Sequence, residues 1–416
     1  MRRLKSITVF MLCAYAFANN NILTPPIGLT TAKVLPKGVR NISIKGVIAE
    51  NLNKYGSMGN ETTIADPLFQ DLTFQNLLDG NDSAKERGEI LAAMNQAGAN
   101  LDDSLGNTTG QINVNANVTI PVVAFGITEK LTGAIAIPIF RTSLNVDTSV
   151  VQTNQALINN LLANLEKSGA SVKREDLIDK INRPVARKLE DKGYLPLENE
   201  TKTELGDIRL VGKYQVFGNK LNSVVLQGTL VLPTGKDADP NKIVDVPSGN
   251  EQTDIGLGFA YDYYLNSSYT LSFGAEHMIQ LKDTTEMRVP FWRGSKVTPF
   301  IDNAVKRDLG DISRAQFAAK ANLRGINIGF GYELSYKQSD VYTGQQYNPE
   351  WYEYIGKDTL QRMQAATITV GYDTLTLFKE KKFPAPLSIL FTHSRLVEGK
   401  NVNRDPFTTI DVNLYF

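Results

Sequence analysis

The chain has 416 residues, and Lys+Arg and Asp+Glu both stand at 44, so the formal net charge is zero. That balance gives no field to hold nucleic acid, and no basic patch is interleaved with aromatics. Mean hydropathy is −0.21, and no run beyond the N-terminus approaches the ~18 apolar residues of a transmembrane helix. The remaining choices are a soluble exported chain, an anchored one, or a barrel that hides its hydrophobicity by alternation.

Arg2, Arg3 and Lys5 form a basic start, residues 7–17 are apolar, and Ala16-Phe17-Ala18 reads as a cleavage site. Residues 1–18 are therefore expected to be a signal peptide. Cys13, the only cysteine, follows Leu12 rather than a small residue, so lipidation is not predicted. Residues 19–38 contain Pro25, Pro26 and Pro36 and are expected to be a periplasmic lead-in or a short plug, because proline gives no ladder donor. The barrel is assigned to residues 39–416.

The first strand is expected at residues 40–49, where Ile42, Ile44 and Ile48 alternate. Residues 51–110 are placed outside the wall, with a helix near residues 84–96. In residues 111–120, Ile112, Val114, Ala116, Val118 and Ile120 share one face and Asn113, Asn115, Asn117 and Thr119 the other. These are read as a lipid face and a wet face. The strand turns at residues 128–130 and returns to about Val146. Residues 149–197 leave the wall again, carrying a helix with Leu157, Leu161, Leu162 and Leu165 at helical spacing. That helix is read as a loop helix packed on its neighbours, with capture of apolar solute as the rival reading.

Further strands follow at residues 207–216, 224–232, 254–263, 269–280, 315–323, 326–337, 366–372 and 387–391. On this register Asp207, Arg209, Lys213, Asp254, Asp262, Glu276, Lys320, Arg324, Glu333 and Lys337 point inward, with Gly256, Gly258, Gly329 and Gly331. Their mixed signs suit a network of pairs filling a narrow bore better than an ion path, which would favour one sign. The glycines either relieve crowding or leave room for a passage. Pro121 and Pro138 each remove a ladder bond in neighbouring strands, marking a bulge or a wall opening. Tyr261, Tyr263 and Tyr269 gather near one turn, where an aromatic girdle would lie.

The chain closes on R-D-P-F-T-T-I-D-V-N-L-Y-F, with Ile410, Val412, Leu414 and Phe416 on one face. This resembles the C-terminal assembly signal of bacterial outer-membrane barrels. The fold class is thus all-β: a transmembrane antiparallel barrel of about 12 strands (14 as the alternative), with long, partly helical extracellular loops. Long loops alternate with short turns, which places both termini inside.

Residues 122–141 (V-V-A-F-G-I-T-E-K-L-T-G-A-I-A-I-P-I-F-R) carry a family resemblance, as do L-G-D-I-R-L-V-G-K-Y, V-L-P-T-G-K and T-D-I-G-L-G-F-A-Y-D-Y-Y-L within residues 205–265. They resemble the phenol meta-pathway (MetA-type) outer-membrane transporters, relatives in style of the fatty-acid and aromatic-hydrocarbon channels. The resemblance implies uptake of small apolar or aromatic molecules. Residues 19–38 are shorter than the hatch of fatty-acid channels, and the strand count is below their fourteen.

Catalysis and metal binding are not expected. His393 and Ser394 face opposite sides of a strand, His277 points outward, and no His/Cys cluster has ligand spacing. The sequence reading is a cofactor-free monomer in the outer-membrane lipid of a Gram-negative bacterium, inserted by the barrel assembly machinery and passing a small-molecule solute by facilitated diffusion. A general small porin, or a structural or adhesive barrel whose loops bind a partner, is the alternative. Topology is testable: cysteines placed at Asn81 and Ser168 should react with an impermeant maleimide on intact cells. Labelling only after lysis would invert it.

Overall fold

A computed structural model describes residues 31–50, 53–63, 71–79, 83–152, 154–293, 295 and 297–416. The signal-peptide assignment lies outside them. Among the described residues twelve strands close into an antiparallel barrel. They are β1 Arg40–Ala49, β2 Ser104–Gly126, β3 Leu131–Ala136, β4 Ile208–Gly218, β5 Asn222–Leu232, β6 Asp254–Tyr264, β7 Tyr269–Gln280, β8 Ile312–Leu323, β9 Ile326–Lys337, β10 Gln361–Asp373, β11 Leu387–Lys400 and β12 Phe407–Tyr415. Each pairs with its neighbours in sequence, and β1 joins both ends by pairing with β2 and β12.

Closure follows from the environment, because an unpaired backbone amide in hydrocarbon costs several kcal/mol. The seam is completed by the last residue: Arg40 N donates to Phe416 O at 2.8 Å, and Phe416 N to Arg40 O at 3.0 Å. Ile42 and Ile44 on β1 and Val412, Leu414 and Phe416 at the end of the chain are exposed on the outer face. Side chains that no protein atom covers, in a row this apolar, need lipid.

One end carries four tight turns of two to four residues, 127–130, 219–221, 265–268 and 324–325, and the other carries the excursions. The exceptions lie next to each other: β10 and β11 are joined at the turn end by residues 374–386 with the helix Leu375–Lys379, and β11 and β12 at the loop end by only residues 401–406. At the loop end, β2 runs twelve residues past the end of β1, pairing with the strand Ile139–Gln152, which in turn pairs with Glu200–Leu205. The helices Ala84–Gln96 and Gln155–Ser168 pack together in a separate apolar cluster that buries Ile158, Leu161, Leu162 and Leu165. The leucine row is thus used for packing. A second small sheet, Asp283–Arg288, Ile301–Asp308 and Val341–Thr343, stands over the loop end beside the helix Pro349–Ile355.

The phase of β2 is the opposite of the sequence expectation. Ile112, Val114, Ala116, Val118 and Ile120 are buried toward the interior, and Asn113, Asn115, Asn117 and Thr119 face out. The reason is height. β1 ends opposite Ala116, so residues 112–115 stand clear of the lipid belt, with water outside and packed loops inside. Lower down the outer face changes from Asn117 and Thr119 to Pro121, Val123 and Phe125, and the belt begins there.

Deleting Phe416 removes both terminal seam bonds. The expected result is a lower folded, heat-modifiable fraction in outer membranes, and an unchanged fraction would show that β12 closes the barrel without them.

Candidate functional site

The bore has two unlike sides. From β4 to β9 most inward positions are polar, with Val225, Val231, Ala260, Met278 and Ile312 among them: Arg209 and Lys213 on β4, Gln227 and Thr229 on β5, Asp254 and Asp262 on β6, Glu276 on β7, Arg314, Gln316 and Lys320 on β8, and Glu333 and Lys337 on β9. Ladder register sets Gln227, Gly258, Glu276 and Arg314 side by side. Glu276 accepts from Thr229 Oγ1 at 2.9 Å and Gln227 Nε2 at 3.4 Å, and its other oxygen lies 3.9 Å from Arg314. Gln316 donates to Glu333 at 2.8 Å, and Lys337 pairs with Asp340 at the loop end. Opposite signs and amides are thus interleaved around this wall.

The other side is apolar toward the loop end, whereas toward the turn end β1, β11 and β12 bury Asn41, Ser43, Ser388, Ser394 and Thr409 and pair Lys45 with Asp411. Val47 and Ala49 on β1, Ala116, Val118, Ile120 and Val122 on β2, Ala136 on β3, Met363 and Ala365 on β10, Leu396 on β11 and Phe407 on β12 belong to one buried cluster. Two strands that read as lipid-facing or mixed in sequence therefore supply a greasy inner surface.

Two segments enter the bore. From the turn end, residues 31–35 fold back inside: Ala32 N donates to Asp262 at 3.0 Å, Lys213 Nζ donates to Thr31 O at 2.5 Å, and Ser223 Oγ donates to Ala32 O at 3.0 Å. Leu35 N donates to Thr132 Oγ1 at 2.7 Å, and Ala32 is fully buried against Val225 and Ala260. Lys213 and Asp262 thus hold this segment rather than lining an open path.

From the loop end, residues 233–253 fold across the mouth. Residues 243–248 are all buried, and Ile243, Val244 and Val246 join the apolar wall cluster. Asp207 secures the neck, accepting from Gly235 N at 2.8 Å and Asn250 N at 3.2 Å. Buried Arg307 grips Asp237, donates to Asn250 O at 2.6 Å and to Asp283 at 2.7 Å. Buried Arg288 donates to Pro240 O at 2.6 Å, Gly193 O at 2.7 Å, and Lys192 O and Thr298 O at 2.8 Å, and its guanidinium lies 3.7 Å from the Tyr194 ring centre. Lys202 Nζ lies 2.7 Å from Asp245 and Lys242 Nζ 2.6 Å from Glu200.

These contacts shape the titration of the loop. Burial alone would raise Asp245, but the hydrogen bonds from Lys202 and the Asp239 amide hold it below the ordinary carboxylate value, and Lys202 is raised in turn. Burial wins at Asp237, which is pushed up despite Arg307. Arg307 itself is held above its ordinary value: burial disfavours its charge, but Asp283 and Asp237 outweigh that.

The remaining sequence candidates sort as follows. Arg324 is not inward; it sits in the exposed β8–β9 turn with φ +54°, followed by Gly325. Gly258 and Gly331 leave no passage: an added Cβ would lie 2.7 Å from Ala275 O and 2.4 Å from Thr367 Oγ1 respectively. At Gly256 it would meet Met278 Cε at 3.0 Å, so Gly256, Gly258 and Gly331 relieve crowding, whereas at Gly329 the nearest atom, Thr369 Cβ at 3.4 Å, is at ordinary contact distance. Pro121 and Pro138 meet at one place. Two residues, Ile137 and Pro138, face the three residues 206–208, and Gly206 N donates to Pro138 O at 2.8 Å. Ile137 N donates to Pro121 O at 3.0 Å, so the wall is bulged and closed.

On the lipid side Gly133, Gly212 and Gly228 lie side by side in ladder register, forming a groove of about 470 Å³ rimmed by Leu210, Leu230, Ile255 and Leu257. An outward trio is also present: His277 Nδ1 lies 3.0 Å from Ser313 Oγ and Nε2 3.6 Å from Asp311. Sequence reading missed it because the three residues lie on two strands 36 positions apart. The inward apolar phase of β2 and the roles of Arg288 and Arg307 were missed too, since no local pattern marks which face or loop will be covered.

No family model matches the chain, and no curated protein matches it. Among solved structures, the COG4313 outer membrane channel from Pseudomonas putida F1 overlaps with a TM-score of 0.52 at 11% identity, covering 94% of this chain and 99% of that one. The fold is that of an outer-membrane β-barrel. The CymD monoaromatic hydrocarbon channel overlaps with a TM-score of 0.35 at 9% identity, covering 98% of this chain and 97% of that one. The Ralstonia pickettii toluene transporter TbuX gives 0.34 at 9% identity, covering 99% and 98%. Both overlap too loosely to carry a structural argument.

Asp262→Ala should release residues 31–34 from the bore. Steady conductance in a planar bilayer is expected to rise severalfold over the wild type, and equal conductance would show that Asp262 does not hold the segment.

Proposed function

We propose that the chain is an outer-membrane channel for facilitated diffusion of small hydrophobic or aromatic molecules. The observation that supports this most is the apolar surface that β1, β2 and β10 to β12 turn inward in the loop-end half of the bore and that β2 and β3 continue down to Ile120, Val122 and Ala136, which gives an apolar solute a place to bind. A hydrated ion finds no such help: the polar side pairs its charges, and residues 31–35 are bonded inside the bore at the turn end. The resemblance of residues 122–141 and 205–265 to MetA-type transporters supports the same solute class.

The expected setting is the outer membrane of a Gram-negative bacterium, with the turn end periplasmic and residues 1–18 removed on export. A solute moving along the apolar side reaches Ala136 and Ile120, directly inside the Pro121–Pro138 bulge, and a sideways exit there would deliver it to lipid. We read the chain as a channel and not an enzyme. Ser313 is a wall residue whose backbone serves the ladder on both sides, so it offers no N–H pair to stabilise an oxyanion beside the His277–Ser313–Asp311 trio.

Arg at Gly256 or Gly258 would distort the wall, so the apolar side is the better target. Val118→Asp should cut uptake of a small aromatic solute about tenfold while the heat-modifiable fraction stays near wild type, and the wild type should show little steady conductance. Large stable conductance in the wild type, with uptake indifferent to Val118→Asp, would make the protein a porin for polar solutes.

A further inference from the structure

We propose that the loop of residues 233–253 is a self-ligand: its Ile243, Val244 and Val246 occupy the apolar surface that the transported solute must use, and the solute works by displacing them. The inference rests on the hydrophobe-channel reading above and adds where the solute binds and what competes with it.

Loop backbone is rarely buried, because its polar groups then need partners. Here residues 243–248 run buried without belonging to any helix or strand. Their three aliphatic side chains enter the same cluster as Val118 and Ile120 of the wall and Phe140 of the strand above it. The polar groups of this stretch are met from outside the apolar surface: Asp245 pairs with Lys202, Val246 N donates to Asp245 Oδ1 at 2.9 Å, and Ser248 Oγ accepts from Lys236 N at 3.0 Å. Polar partners therefore sit on the loop and on Glu200–Leu205, and only aliphatic groups point at the wall.

The attachment is of the kind that can be exchanged. Among the described residues no ladder joins the loop to the barrel; its hold is made by side chains at its neck and back, Asp207, Arg307, Arg288 and Lys202, together with the Lys242–Glu200 pair and a backbone bond, Leu195 N to Asn241 O at 2.7 Å. Lifting residues 243–246 breaks none of the backbone pairing of the wall. A branched aliphatic solute or an aromatic one of one or two rings matches the apolar chemistry of the three side chains it would replace, and a carboxylate or sugar does not. With no solute the loop keeps water off the apolar surface.

The test uses the full chain, whose only cysteine, Cys13, lies in the expected signal peptide. Glu200→Cys with Lys242→Cys replaces the 2.6 Å ion pair that bridges loop and strand, and a short bis-methanethiosulfonate reagent links them reversibly. Accumulation of radiolabelled naphthalene by cells should fall at least tenfold on linking and return on reduction; equal accumulation in the linked form overturns the proposal. In a second arm, Ile243→Ser with Val246→Ser should bind naphthalene about tenfold more tightly than wild type in purified, heat-modifiable protein, because the competitor has lost its apolar groups. Unchanged or weaker binding overturns the proposal. If the unlinked wild type accumulates no naphthalene above cells lacking the barrel, the channel reading fails, and the binding arm still decides whether the loop competes for an apolar ligand.

Discussion

The constraint on which everything else depends is that no backbone donor in the wall can be left to lipid. It forces β1 to pair on both edges, the last residue to close the seam with Arg40, and every irregularity to be repaired within a residue or two. The Pro121–Pro138 bulge shows the repair: where proline removes a donor, Ile137 N and Gly206 N reach the two proline carbonyls. Side chains are then free to vary, because the ladder does not depend on them.

That freedom explains both what could be read from the sequence and what could not. Alternation, turn residues and loop lengths report the ladder, so β4 to β9 and β12 were legible with the correct face. Thr270, Ser272 and Glu276 against Leu271, Phe273 and Ile279 leave little choice of phase when lipid is on one side. On β2 the same period was legible and its phase was not. An alternation of Ile/Val with Asn says only that the two sides differ, and above the end of β1 the dry side is the inside. The stretch V-V-A-F, apolar on both faces, was the signal available: only a wall with an apolar bore has use for it.

The candidate site was less legible than the fold for a related reason. Lys213 and Asp262 were identified as inward residues, but their partners are Thr31 and Ala32, roughly two hundred positions away. Arg288 and Arg307 lie in an excursion that looked like any other long loop. Their role follows only from what is packed beneath them, since a buried guanidinium is tolerated where carbonyls and carboxylates converge to match its five donors. Arg288 meets four backbone carbonyls from three separate segments.

The two ways of opening this barrel differ in kind. Lifting the loop exchanges side-chain contacts for others, with water available on the outside to solvate Arg307, Asp237 and Asp283 as they part. Parting the wall exposes backbone groups to hydrocarbon, at several kcal/mol for each one left unpaired. The lowest cost lies where fewest ladder bonds exist to break, between Ala136 and Ile139, because Pro138 has no donor and residues 206–208 are already out of register with it. Phe140 and Ser248 press against Gly206 at that point, and Ser248 belongs to the loop. A loop that lifts therefore removes one of the two groups bracing the weakest place in the wall. Capture at the mouth and release into lipid would then share a single moving part.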